Sequence, residues 1–251
     1  MSQPLVRCIC RTYGRHTSMN RTLAFWLAQD YQKRELVILN TAPVPLTLSA
    51  DLSGRGDIRI YNQQNYSKTG KPYTNVGHVS EDAVRLARGD IFVLWEDDDL
   101  MLPNHLTNGV KGLLGCGKLG WKPARSWFTR DGGSNFEWAR NAMEASAFVH
   151  IEAIRRLGFR PESGPENLAW MDGLKAEGQF VEDEKAKSTY VYCWGDPIAA
   201  HKQSGDMMNA NNFENHKRAS TDFGRVPLDG RFVTEGYWSR LKAQFPQEFT
   251  R

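Results

Sequence analysis

Cysteine is scarce. Four thiols, Cys8, Cys10, Cys116 and Cys193, serve 251 residues. Cys8 and Cys10 have the wrong spacing for a zinc knuckle, and no second pair follows. On a strand these two positions face the same side, where small thiols pack well. All four read as reduced structural cysteines, the usage of a cytoplasmic protein. Long apolar runs are missing as well. Residues 23–27 and 91–95 fall far short of the roughly 20 apolar residues a membrane span needs, so none is expected. Met1-Ser2-Gln3-Pro4 opens without a basic region leading into an apolar stretch, so no secretory leader is read there. Charge of one sign is lacking too. A net +3 permits a polyanionic partner without demanding one. No repeat or linker marks a second domain, and Gly132-Gly133 is too weak to be a phosphate loop. What is left is a globular composition, 40% hydrophobic, long enough to bury a core without staples.

The first half alternates strand and helix patterns. Residues 5–10 are an apolar run, and 18–30 fit a helix capped by Thr17 or Ser18. Residues 35–39 read as a strand buried on both faces, and 57–61 as another short strand. The next helix is predicted from Ser80 as its cap, with Glu81 and Asp82 in the first turn, Arg85 and Arg88 in the last, and Gly89 stopping it. A strand follows at 91–95 and a helix from Pro103 to about Leu114. Residues 115–145 read as irregular connection. A strand at 147–151, a short helix at 152–157, a helix at 165–177 with Pro165 in its first position, and a strand at 189–194 follow. From Lys202 the chain is polar, with a terminal helix expected at 235–244. The alternation predicts an α/β fold with a mostly parallel sheet flanked by helices. Ligands in such sheets bind at the carboxyl ends of the strands, here the loops after Cys10, Leu39 and Trp95.

One of those loops is acidic. Glu96-Asp97-Asp98-Asp99 directly follow the apolar strand at 91–95. Like charges this close repel, and the low-dielectric sheet behind them makes it worse. Mn2+ or Mg2+ would relieve this, taking one or two carboxylates and filling its shell with water and substrate phosphates. The alternative is a solvated acidic turn with Asp99 capping the helix at Pro103. In extended backbone Glu96 and Asp98 face one side, Asp97 and Asp99 the other.

An ordered series of segments resembles the inverting glycosyltransferases of the GT-A fold, family 2 in particular. Arg11-Thr12-Tyr13-Gly14-Arg15 resembles the family's Pro-Thr-Tyr-Asn-Arg loop after the first strand. Gln29-Asp30-Tyr31 and Glu35-Leu36-Val37-Ile38 resemble its Gln-x-Tyr and second strand. Ala87-Arg88-Gly89-Asp90-Ile91 leading into Trp95-Glu96-Asp97-Asp98-Asp99 resembles its lead into Leu-Asp-x-Asp-Asp. Leu157-Gly158-Phe159 resembles its Gly-Phe, and Glu166-Asn167 its Glu-Asp. The likeness covers about residues 5–200.

The resemblance implies transfer of a sugar from a nucleoside diphosphate donor, taken as UDP-linked, to an acceptor hydroxyl with inversion. It implies one domain over 1–251, with a nucleotide-sugar half (1–115), an acceptor half (116–200) and a polar extension or lid (201–251). Thr12 and Tyr13 would hold base and ribose. Asn40 stands where the family has Asp, and its amide oxygen can still accept from a base N–H. Arg15 or Lys71 would neutralise phosphate. Asp98 would bind the metal, with Glu96 and Asp97 in the donor-binding set, and His201 would complete the metal shell. The acceptor, whether glycan, protein, small molecule or nucleic acid, is open.

The family's base is the Asp of Glu-Asp, which here is Asn167 and cannot accept the proton. Glu166 and Asp172 are the substitutes. On a helix they lie about 240° apart, so both cannot face one site. Glu166, at the helix start, is preferred; its alternative role is to complement the helix dipole. Of the many tryptophans, one or two in 115–145 would stack on a sugar or base. Three rival functions stay open at this point: transfer to a hydroxylated base in DNA, a nucleotidyltransferase, and a binding module that has lost catalysis.

Overall fold

The computed structural model describes residues 3–130, 135–140, 143–163, 166–193, 227–231 and 235–249. Its main sheet has seven strands. Four of them run parallel in spatial order: β3 (Ile58–Asn62), β2 (Arg34–Asn40), β1 (Val6–Thr12) and β4 (Ile91–Leu94). Beyond β4, β9 (Phe148–His150) joins antiparallel, followed by β6 (Gly120–Pro123) and β10 (Phe180–Asp183). A second sheet of four strands contains β5 (Leu100–Met101), β11 (Tyr190–Cys193), β7 (Arg125–Arg130) and β8 (Asn135–Arg140). The α/β class and the mostly parallel sheet agree with the sequence pattern.

Burial on both faces explains the apolar central strands. In β1, Cys8 and Cys10 are fully buried, and Cys10 Sγ lies 3.8 Å from Met19 Sδ of α1 (His16–Leu27). All four cysteines are outside any disulfide, and burial pushes the Cys8 and Cys10 thiols up. Under β4, Trp26 of α1 meets Trp95 edge-on at 5.2 Å, a pair worth about 0.5–1.5 kcal/mol beyond its buried area. Behind β9, α4 (His105–Cys116) packs at Gly109, where an added Cβ would sit 2.0 Å from the Phe148 ring. No helix among the described residues is long and apolar enough to cross a membrane.

Several element boundaries differ from the sequence reading, each for a local reason. The helix predicted from Ser80 starts a turn earlier, as α3 (Val76–Leu86), because Asn75 accepts from the His78 amide at 2.9 Å. Ser80 is interior and donates to the Val76 carbonyl at 3.0 Å. Gly77 lets this helix start touch another segment: a Cβ there would lie 1.8 Å from the Arg160 carbonyl oxygen. The stretch read as irregular holds β6, β7 and β8; β6 and β7 pair with strands later in the chain, and β8 pairs with β7. The helix predicted from Pro165 is α6, Leu168–Ala176, so Glu166 precedes it and is not a first-turn residue. α1 starts at His16 without a side-chain cap, not at Ser18. The terminal helix α7 is Glu235–Gln244, as expected.

Candidate active site

The parallel strands β1, β2, β3 and β4 send their carboxyl ends to one edge of the sheet, where the candidate residues gather. A cleft of about 190 Å³ opens there. Its walls come from the loops after β1 (Tyr13), β2 (Thr41, Pro43) and β3 (Gln64, Asn65, Tyr73). Asn40 lies beneath, fully buried. Its amide nitrogen donates to the Val44 carbonyl at 2.9 Å and to Asn62 Oδ1 at 2.8 Å, and its oxygen accepts from the Ala42 amide at 3.1 Å. Asn40 therefore builds the turn that forms the cleft wall. Thr12 is buried, and its hydroxyl has no hydrogen-bond partner among the described residues. Lys71 is exposed and immediately precedes Pro72, another cleft residue.

The acidic loop lies after β4. It is a turn rather than a strand extension, so the expected alternation of faces is not what forms. Arg15 forks onto both oxygens of Asp97, with Nε 2.9 Å from Oδ2, and reaches Asp98 Oδ2 at 3.4 Å. Glu96 pairs instead with Arg11, and Asp99 turns to the second sheet. There it accepts from Tyr190 Oη at 2.5 Å and from the Cys193 amide at 2.9 Å. Burial and the adjacent Asp99 push the Tyr190 hydroxyl up. The loop's own carbonyls are held by α1: Ser18 and Thr22 hydroxyls donate to Asp97 O, and Arg21 donates to Asp98 O at 2.8 Å.

Arg11 is the second organiser. Its guanidinium meets Glu96, meets Glu166 Oε1 at 2.5 Å, and donates to Ser80 Oγ at 2.8 Å. Burial opposes charge on Arg11, but Glu96 and Glu166 outweigh it, and the net shift is upward. Arg15 is raised by the same balance against Asp97 and Asp98. Glu166 Oε1 also accepts from Asn167 Nδ2 at 3.0 Å. Asp172, the other sequence candidate for the base, is exposed and pairs with Arg160 at 3.1 Å. The fold thus gathers Glu96, Asp97, Asp98, Arg15 and Glu166, and leaves Asp172 on the surface. His201 lies outside the described residues.

Two residues of this cluster were given no role from sequence. Arg11 stands where the family loop has Pro, and a lone cation ending a buried strand was the available signal. Glu144 begins a one-turn 3-10 helix, Glu144–Ser146, that packs on β4, inside the stretch read as irregular. Burial pushes its carboxyl up to about 7; its own backbone amide lowers it, Glu166 raises it, and Lys122 and Arg11 lower it.

No family model matches the chain, and no curated protein matches it. Solved structures do. The mannosyltransferase PcManGT from Pyrobaculum calidifontis, in complex with GDP-Man and Mn2+, superposes with a TM-score of 0.57 at 18% identity over 80% of this chain. The chain spans 59% of that protein. Residues 1–349 of S. aureus TarS in complex with UDP-GlcNAc give 0.59 at 9% identity, covering 98% of this chain and 75% of that one. The UDP complex gives 0.57 at 13% identity, covering 87% and 70%. These likenesses show a fold shared with glycosyltransferases.

Proposed function

We propose that the chain is a GT-A-type, inverting, metal-dependent glycosyltransferase that takes a nucleoside diphosphate sugar, UDP-linked, and transfers the sugar to an acceptor hydroxyl. One observation carries this reading: a small cleft and an arginine-bound acidic loop share the carboxyl edge of a parallel sheet, with Glu166 joined to that loop through Arg11. The neighbours' nucleotide and nucleotide-sugar complexes support it.

The roles follow from the chemistry of each group. Tyr13 offers an aromatic face for the base, with Thr12 and the Asn40 turn behind it. Arg15 and Lys71 are the cations for the diphosphate. Asp97 and Asp98 are hard oxygen donors, and Asp98 lies 3.4 Å from Arg15. Among the described residues no group of three His, Cys, Asp or Glu side chains is placed to hold a metal ion. That donor set fits a cation held by one or two carboxylates plus donor phosphates, not a closed protein cage. Asp98 would hold Mn2+ or Mg2+, aided by His201, and the cation would stabilise charge on the leaving diphosphate as a Lewis acid. Glu166 is the acceptor-side carboxylate, since Asp172 is committed to Arg160 at the surface. Residues 1–115 would serve the donor and 116–200 the acceptor.

The test is nucleotide release from UDP-GlcNAc and GDP-mannose with and without Mn2+, beside thermal stabilisation by UDP with Mn2+. Metal-dependent release from the UDP-sugar supports the reading. Stabilisation without release from either donor points to a binding module instead. Neither effect would sink the reading altogether.

A further inference from the structure

The carboxylates of this site differ in one respect, which is how far each is already committed to a donor. Asp97 holds the Arg15 fork, Asp99 takes Tyr190 and the Cys193 amide, and Glu96 takes Arg11. Glu166 accepts from both Arg11 and Asn167 on a single oxygen and is 3% exposed. Glu144 is different. Its carboxylate meets its own backbone amide, and among the described residues no cation stands at ion-pair distance from it. The charged groups near enough to act on it electrostatically are Glu166, Lys122 from β6 and Arg11 from β1. The strand it packs on, Ile91-Phe92-Val93-Leu94, has no charge to offer. Lys122 is fully buried and lies 3.6 Å from Glu182, and Arg11 is divided between Glu96 and Glu166. Glu144 is also only partly buried, whereas Glu166 is closed off.

Resting on the sugar transfer proposed above, we infer that Glu144 is a further catalytic residue and takes the proton of the acceptor hydroxyl, while Glu166, held by Arg11 and Asn167, anchors the acceptor. The step balances. The acceptor O–H bond breaks and its proton goes to a Glu144 carboxylate oxygen. The freed oxygen pair forms the new bond to the anomeric carbon. The bond from that carbon to the diphosphate oxygen breaks, and its electrons leave with the nucleoside diphosphate. A proton acceptor must reach the hydroxyl and must not already be spoken for by a fixed cation. Two carboxylates in one cluster, one paired and one not, divide such roles naturally. Burial and the neighbouring Glu166 hold the Glu144 carboxyl up at about 7, so it becomes competent as a base as pH rises through neutrality.

The experiment compares wild type, E144Q and E144D in nucleotide release from the two donors named above, with water as acceptor, across pH 5.5–9. Alongside it, thermal melts are run with and without UDP and Mn2+. The expected loss in E144Q is roughly 10²–10⁴-fold, the usual share of a general base. The wild-type rate should rise with pH through about 7 and level off above about pH 8, and that limb should vanish in E144Q. E144D should recover part of the rate. Stabilisation of E144Q by UDP with Mn2+ should be unchanged, and its melting temperature at pH 8 should equal or exceed that of wild type. Full turnover by E144Q, or persistence of the limb in it, overturns the inference and leaves sugar transfer standing. An E144Q protein that melts lower and loses nucleotide binding overturns it as well, because the carboxylate would then be structural. Wild type that releases no nucleotide from either donor overturns sugar transfer, and this inference with it.

Discussion

Arg11 and Glu166, 155 positions apart in the chain, meet at 2.5 Å, and the same guanidinium grips Glu96. One cation at the end of β1 thereby joins a carboxylate of the acidic loop to one that precedes α6. Neither carboxylate has a strand or helix of its own to fix its direction, so Arg11 sets the spacing between them.

Removing that cation should be costly. Arg11→Ala leaves two largely buried carboxylates facing each other, and breaking a buried pair from one side costs about 3–5 kcal/mol. Arg11→Lys keeps the charge but not the fork, so it should recover part of the stability. Urea unfolding of the three proteins at pH 7.5 measures both effects. A change within about 0.5 kcal/mol for Arg11→Ala would show that the cluster is solvated.

Glu144 gives a stability trend of unusual sign. Its carboxyl is raised from 4.5 to about 7 in the folded chain by burial first and Glu166 next. Between those values the folded state binds a proton that the unfolded state has released. Stability from this group is therefore full below about pH 4.5, falls as pH rises towards 7, and is level above it. Glu144→Gln should remove that slope and gain on the order of 1–3 kcal/mol at pH 8, one pKa unit being about 1.4 kcal/mol. Paired pH series of thermal melts show it as a wild-type-minus-variant difference that grows between pH 5 and 7.

Asp98→Ala should separate metal from nucleotide. Stabilisation by a ligand follows its affinity for the folded state. The variant should keep the shift produced by UDP alone and lose the extra shift that Mn2+ adds. A variant with the full Mn2+-dependent shift places the cation elsewhere.

Tyr13 tests the cleft. Base stacking on an aromatic ring is worth about 1–3 kcal/mol. Tyr13→Ala should weaken UDP binding about tenfold or more by calorimetry, with little change in melting temperature. An unchanged affinity would mean that the base lies outside the cleft walled by Tyr13, Thr41 and Tyr73.

The parts of this fold written in local pattern were readable in the chain. Apolar runs flanked by turn residues marked β1, β2 and β4, and four carboxylates after a buried strand marked the edge where the candidate site lies. What escaped depended on distant partners. β6 and β7 have weak patterns of their own and are fixed by β9, β10 and β11 from later in the chain, and β8 pairs with β7. Ser80 carries every local sign of a cap, yet Asn75 takes that place because Gly77 allows the Arg160 backbone to close in. Asn40 reads as a ligand contact in the sequence, and its hydrogen bonds show it shaping the loop. Glu144 had no signal, because its environment is assembled from β1, β6 and the residues before α6.

Asp99 is bonded to a tyrosine and to a backbone amide of β11, while Asp97 and Asp98 are tethered to α1. Both ends of the carboxylate-bearing turn are thus moored to separate rigid bodies. A ligand arriving there would meet a backbone already ordered, and little of its affinity would be lost to ordering it.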